Sequence, residues 1–364
     1  MNRYFFTSEA VTEGHPDKIC DKISDKILDS AILQDINSKM AVEATIKDNF
    51  ILIYGEANTK ANLDYEKIAR DVLKDIGYTE NFEVLVKVSN QSKEITNSVL
   101  KKEICAGDQG IMFGYATNET EEYMPLPILL ANSLAKRLTE ARKSKEILDI
   151  LPDGKTEVTV EYLDKVPIRV DTVIIACQHK ASIDKEYLET SIINKVIKKV
   201  IPSKFIDSNT KFLINTSGSF ILGGPFADSG TTGRKIVSDT YGGTSRVGGG
   251  CFSSKDPSKV DRTGAYYARY VAKNIVAKGY ADKCEIQVSY AIGKSLPISI
   301  FIETFGTNKV SYDDIYSYVN NNFSFRVQNM IDELDLLRPI YYDLAAYGHF
   351  GRNDLNLTWE NIKI

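Results

Sequence analysis

Pro16-Asp17-Lys18-Ile19-Cys20-Asp21-Lys22-Ile23-Ser24-Asp25-Lys26-Ile27-Leu28-Asp29 carries the triplet Asp-Lys-Ile three times at a spacing of four residues. An α-helix has about 3.6 residues per turn, so a four-residue step advances about 400° and each residue type forms a slowly drifting stripe. Ile19, Ile23 and Ile27 make a stripe for burial. Asp17, Asp21, Asp25 and Asp29 make an acidic stripe beside Lys18, Lys22 and Lys26. Pro16 suits the first helical position, where its missing N–H costs nothing. The spacing predicts a helix over 17–33.

Outward from this helix the pattern recurs. A hairpin is expected from Ala41–Ile46 and Phe50–Glu56 around Lys47-Asp48-Asn49, then a helix over 63–76 stopped by Gly77. The middle of the chain predicts a strand over 110–117, a helix over 127–142, strands over 156–162 and 168–176, and a helix over 185–199. The remainder predicts strands over 211–214, 285–291 and 298–304, with helices over 262–278 and 312–320. Strand pairs flanked by helices therefore occur about three times. The expected class is α+β: three similar α/β units with mostly antiparallel or mixed sheets. The units are expected at 1–103, 104–221 and 222–364.

The 364 residues are 43% apolar and 26% charged, with a net charge of −4. This is the composition of a globular protein, and it argues against a nucleic-acid footprint, which needs a basic face. The longest apolar runs, Phe50–Tyr54 and Val173–Cys177, fall far short of the ~20 residues a membrane helix requires. The start, Met1-Asn2-Arg3-Tyr4-Phe5-Phe6, does not read as a secretory signal. Five cysteines, never in a C-x-x-C pair, suit a reducing compartment. A cytoplasmic protein is expected.

The chemistry concentrates in residues 215–262. This segment contains Gly223-Gly224-Pro225, Asp228-Ser229-Gly230, Gly233-Arg234-Lys235, Gly242-Gly243 and Gly248-Gly249-Gly250. Glycines let backbone N–H groups approach an anion and form phosphate nests. Arg234, Lys235, Lys255 and Lys259 add fixed positive charge for a polyphosphate, and Asp228 and Asp261 could hold magnesium. A flexible loop with solvated charges is the plain alternative for any one of these residues. Gly293-Lys294-Ser295 imitates a phosphate loop, but the first glycine of that motif would fall at Val288. Two shorter segments add to the pattern. Glu13-Gly14-His15-Pro16-Asp17-Lys18 sits at a helix N-terminus, where phosphate is attracted. Ala106-Gly107-Asp108-Gln109-Gly110 forms a turn ahead of a strand.

Together these segments resemble the S-adenosylmethionine synthetase (methionine adenosyltransferase) family, over essentially the whole chain. The matching motifs are Gly14–Lys18, Gly107–Gly110 with Gly114-Tyr115, Gly248–Arg262 and Ala346–Arg352. The resemblance implies an enzyme of one-carbon metabolism in which methionine sulfur attacks C5′ of ATP. Triphosphate leaves and is cut to pyrophosphate and phosphate. It implies that His15, Lys155, Arg234, Lys235, Lys255 and Lys259 act on ATP or the departing triphosphate. Asp153 (in an Asp153-Gly154-Lys155 turn), Ser219, Phe220, Asp228 and Cys251 would complete the ATP site. Glu56, Gln91, Asp108, Asp228 and Lys259 would surround methionine. Two magnesium ions are implied at Asp17 and Asp261, and potassium at Glu43. The resemblance further implies a gating loop near 91–103, three units about a pseudo-threefold axis, and a homodimer or homotetramer with shared active sites. Ser219, Val247 and Cys105 depart from the family's usual Arg, His and Gly. A kinase or ligase of another fold, or a non-catalytic nucleotide-binding protein, would share the cationic glycines but not this set of products.

Overall fold

In a computed structural model, which describes residues 2–90 and 104–363, the Asp-Lys-Ile repeat is the second element of a unit that the chain builds three times. The first copy is β1 (Arg3–Val11), α1 (Pro16–Gln34), β2 (Lys39–Lys47), β3 (Phe50–Asn58), α2 (Tyr65–Ile76) and β4 (Glu83–Ser89). The second is β5 (Gly110–Thr117), α3 (Leu126–Lys143), β6 (Ile150–Leu163), β7 (Val166–His179), α4 (Lys185–Ile192) and β8 (Lys211–Ile214). The third runs β9 (Gly230–Thr231), a short α5 (Ile236–Asp239), α6 (Val260–Ala277), β10 (Lys283–Tyr290), β11 (Ser299–Glu303) and α7 (Tyr312–Asn322). Two short helices, α8 (Val327–Glu333) and α9 (Tyr341–Leu344), follow.

The copies exchange strands in a ring. The three sheets have the orders β1-β6-β7-β8, β11-β10-β5 and β4-β3-β2-β9. The first strand of each copy thus leaves its own hairpin: β1 joins β6, β5 joins β10, and β9 joins β2, all antiparallel. The parallel pairs, β3–β4 and β7–β8, are those joined through a crossover helix, as parallel connection requires. The mixed, mostly antiparallel α+β reading therefore holds.

Helix α1 departs from the simple amphipathic picture. Ile19, Ile23 and Ile27 pack with Val42, Ile51, Ile53 and Val72, as their stripe predicts. The acidic stripe is buried too: Asp17, Asp21, Asp25 and Asp29 are all under 7% exposed. A buried carboxylate is costly unless it is paired and hydrogen-bonded, so these four must have partners elsewhere in the chain. The helix expected over 185–199 is present and runs on to Val200, with one change of kind inside it. It is α-helical to Ile192 and then opens into a π turn, Ile193–Ile197. The expected Asp153-Gly154-Lys155 turn is instead part of β6, at a register shift against β7 between Ile150 and Gly154. Lys155 pairs with Val11 of β1 and Ala176 of β7, and Gly154 with Cys177 of β7, which keeps this segment in a strand.

Candidate active site

The His15 ring caps α1. Its Nδ1 accepts the Asp17 backbone N–H at 3.2 Å, which leaves Nε2 as the nitrogen that can carry a proton outward. Burial, then the nearby Lys235 ammonium, lowers its pKa to about 4, so the ring is neutral at physiological pH. Asp17 is 1% exposed; one oxygen accepts the Thr231 N–H at 3.0 Å and the other the Lys235 ammonium at 2.6 Å. Arg234 approaches the same carboxylate at 3.5 Å. Burial raises the Asp17 pKa, but the hydrogen bonds from Lys235 and Thr231 outweigh it and hold the group below its ordinary value. Lys155 and Asp228 also act on His15 electrostatically, so both lie at this cluster.

The other carboxylates of the stripe hold the glycine-rich segment in place. Asp21 accepts the Gly233 N–H at 2.8 Å. Asp25 accepts the Ser254 N–H at 3.1 Å, the Ser253 hydroxyl at 2.9 Å, and one guanidinium nitrogen of Arg262, Nη2, on both of its oxygens at 2.9 and 2.7 Å. Asp29 accepts the Tyr341 and Tyr342 N–H groups at 3.0 and 2.8 Å. Four residues of one helix thus tie down chain segments more than two hundred positions away. Glu13, just before the helix, gathers Lys22, Arg142 and Lys143, and Tyr78 donates to the Gly14 carbonyl at 2.8 Å.

The second cationic pair has its own carboxylates. Lys255 pairs with Asp261 and Lys259 with Asp256. Asp256 is fully buried and also accepts the Met40 N–H at 2.8 Å, which fixes this turn against β2. A Cβ on Gly250 would lie 2.3 Å from the Asp261 carboxylate, so only glycine allows that approach. Glu43 on β2 accepts the Tyr54 hydroxyl at 3.3 Å and acts electrostatically on Cys251. Cys251 in turn sits against Gly233, where the two cationic clusters meet.

The remaining expected residues are less assembled. Asp153 is buried and accepts the Gly224 N–H at 2.7 Å, an anchoring role. Lys155, Ser219, Asp228, Glu56 and Asp108 are exposed. Phe220 is half-buried, and its N–H donates to His179 Nε2 at 3.1 Å. Asp108 and Asp228 each close on the N–H of the next residue. Gln91 and the 91–103 loop lie outside the described residues. The Gly293-Lys294-Ser295 lookalike follows β10, with Val288 inside the strand, so it is no phosphate loop. Among the described residues no three His, Cys, Asp or Glu side chains are grouped to hold a metal. Sequence reading missed Lys18, Asp21, Asp25 and Asp239 as site builders, although the four-residue spacing of the carboxylates was the signal.

A helix N-terminus with a neutral histidine, glycine turns and four lysine or arginine side chains held by carboxylates has the chemistry to take a phosphate-rich ligand. Three domain families match consecutive parts of the chain: the N-terminal domain of S-adenosylmethionine synthetase over 3–102, its central domain over 103–220 and its C-terminal domain over 222–361. The chain belongs to the S-adenosylmethionine synthetase family. It is a transferase that binds ATP and makes S-adenosylmethionine from ATP and L-methionine, and enzymes of the family use metal ions.

Proposed function

We propose that the reaction proceeds by attack of methionine sulfur on C5′ of ATP, with release of triphosphate and its hydrolysis to pyrophosphate and phosphate. The observation that carries this reading is the His15–Asp17–Lys235 cluster at the start of α1. It offers a neutral ring N–H, a fixed ammonium and helix N–H groups to a leaving group of high negative charge. A thioether has no proton to remove, so the absence of an acid–base dyad from this cluster is no obstacle. Arg234, Lys235, Lys155, Lys255 and Lys259 are read as polyphosphate contacts, Phe220 and Ser219 as neighbours of the adenosine, and Glu56, Gln91, Asp108 and Asp228 as methionine-side residues.

Magnesium fits the donors present, because it is commonly held by one or two carboxylates plus substrate phosphates rather than by a protein cage. Asp17 and Asp261 would each supply one carboxylate, and Glu43 beside Tyr54 would hold potassium. Bound there, the metal ions would neutralise the charge that develops on the leaving group.

The units are taken as 1–103, 104–221 and 222–364. Oligomerisation with shared sites is favoured by the exposure of Glu56 and Asp108, and of Leu85, Ile111 and Phe301 on the strands. A homodimer or homotetramer would cover them. A cytoplasmic location is favoured by five cysteines that form no disulfide among the described residues. No helix among the described residues is long and apolar enough to cross a membrane, and the −4 charge gives no reason to invoke nucleic acid. Mass spectrometry and phosphate assays on ATP, methionine, magnesium and potassium are expected to yield S-adenosylmethionine, pyrophosphate and phosphate together. ADP or AMP as the co-product would contradict the mechanism.

A further inference from the structure

The turn that carries Arg234 and Lys235 is clipped to helix α1 at both of its ends. At the leading end, the Gly233 N–H donates to Asp21 Oδ1 at 2.8 Å. At the trailing end, α5 finishes on Asp239, and both Asp21 and Asp239 close on one ammonium, Lys18. Lys18 Nζ donates to Asp21 Oδ2 at 2.9 Å and to Asp239 Oδ1. Lys18 is 1% exposed, Asp21 0% and Asp239 5%, so none of the three can reach a substrate. Gly233 has φ +83°, and a Cβ there would lie 2.6 Å from the Cys251 Cβ, so the turn has little freedom of its own.

The surroundings close the arrangement from behind. The His349 backbone N–H donates to the Asp239 carbonyl at 2.9 Å, and the His349 Nε2 stands 4.0 Å from Asp239 Oδ1 with no hydrogen-bond partner among the described residues. Desolvation would discharge Lys18, but the two carboxylates outweigh it and hold its pKa above the ordinary value. Burying one ammonium between two carboxylates is a poor route to stability, since apolar side chains of similar volume often serve as well. It is an effective way to fix geometry, because any displacement of the turn unpairs a buried charge.

We propose that Lys18, Asp21 and Asp239 are positioning residues that clamp the 233–239 segment to α1 and so hold Arg234 and Lys235 in register with the triphosphate. This rests on the reading of Arg234 and Lys235 as triphosphate contacts. A misplacement on the order of 1 Å can cost about a hundredfold in rate, so loosening the clamp acts on kcat rather than on methionine binding.

The test is calorimetric titration of the intact enzyme with inorganic tripolyphosphate and magnesium, alongside steady-state kinetics and thermal melting. Asp21→Asn is expected to remain folded, to lose roughly tenfold to a hundredfold in kcat, to bind tripolyphosphate more weakly, and to keep its KM for methionine. Asp239→Asn, which leaves the Lys18–Asp21 pair intact, is expected to show the same pattern more weakly. A folded Asp21→Asn enzyme with parental kcat and tripolyphosphate affinity overturns the proposal. If Asp21→Asn does not fold, parental behaviour of Asp239→Asn overturns it, and failure of both to fold assigns the triad to stability alone and also overturns it. Lys235→Met is the control. Parental tripolyphosphate affinity in that variant would sink the underlying reading of the site, whereas a loss there with parental Asp21→Asn and Asp239→Asn sinks only the clamp.

Discussion

The proposed polyphosphate side and the proposed methionine side of the site are built in opposite ways. On the polyphosphate side, Lys235 is locked on Asp17, Lys255 on Asp261 and Lys259 on Asp256, and the glycine turns hang from Asp21 and Asp25. On the methionine side, Glu56 and Asp108 are exposed, and among the described residues Asp108 accepts the N–H of Gln109. Electrostatic stabilisation works best when the charges are in place before the reaction, since no reorganisation is then needed. A polyanion that gains charge at its bridging oxygen benefits from that rigidity. A neutral thioether needs positioning, and in the proposed reading a second chain completes what two exposed carboxylates leave open.

Variants can break this contrast, and the largest effect is expected in the scaffold. Asp25 and Arg262 are both wholly buried, with one guanidinium nitrogen held between the two carboxylate oxygens. Removing one partner leaves an uncompensated buried charge, so Asp25→Ala is expected to cost about 3–5 kcal/mol of stability. Chemical denaturation should show this, and a loss within the error of a surface mutation would mean that the stripe is not the scaffold. Next come the cations themselves. Lys255→Met or Lys259→Met should lower kcat by roughly 10²–10³, as loss of an oxyanion donor does, with little change in KM for ATP. A raised KM with kcat intact would make them uniform binders instead.

His15 gives a smaller, pH-dependent effect. Its folded pKa of about 4 lies below the ordinary 6.5, so the unfolded chain binds more protons as the pH falls. The stability this group contributes is full above the unfolded value and is lost as pH drops from there through the folded one. An NMR titration should place its midpoint near 4, and no His15 inflection should appear in the rate between neutral and weakly alkaline pH. A midpoint near 6.5 would show that the ring is solvated and outside the built cluster. The smallest effect concerns Ser254. It is held at φ +80° with its hydroxyl buried and unpartnered. Ser254→Gly relieves both and should stabilise by about 1 kcal/mol, read as a higher melting temperature. A lower one would mean that the hydroxyl has a role in the turn.

Much of the fold was legible where periodicity is strong. The Asp-Lys-Ile repeat predicts α1 nearly to the residue, and the 110–117 and 211–214 strands fall where expected. The strand β1 was not anticipated, because Arg3–Val11 mixes exposed Phe5 with Ser, Thr and Glu and pairs only with β6, far along the chain. For the same reason the ring of exchanged strands could not be read, since its partners lie in different copies of the unit. In the site, the cations and glycines were legible as types. The scaffold was not: a charged stripe on a helix ordinarily reads as solvent-facing, and what buries this one is backbone N–H at Thr231, Gly233, Ser254 and Tyr341.

In the proposed reading, one chain carries a finished polyphosphate side and another copy completes its methionine side. Mixing Lys235→Met chains with Asp108→Ala chains, each inactive alone, tests it most directly. In mixed dimers one site collects both lesions and the other collects none. Activity should return on mixing, in proportion to the mixed dimers formed. A mixture that stays as inactive as its components, with mixed dimers demonstrated by native mass spectrometry, would contradict it.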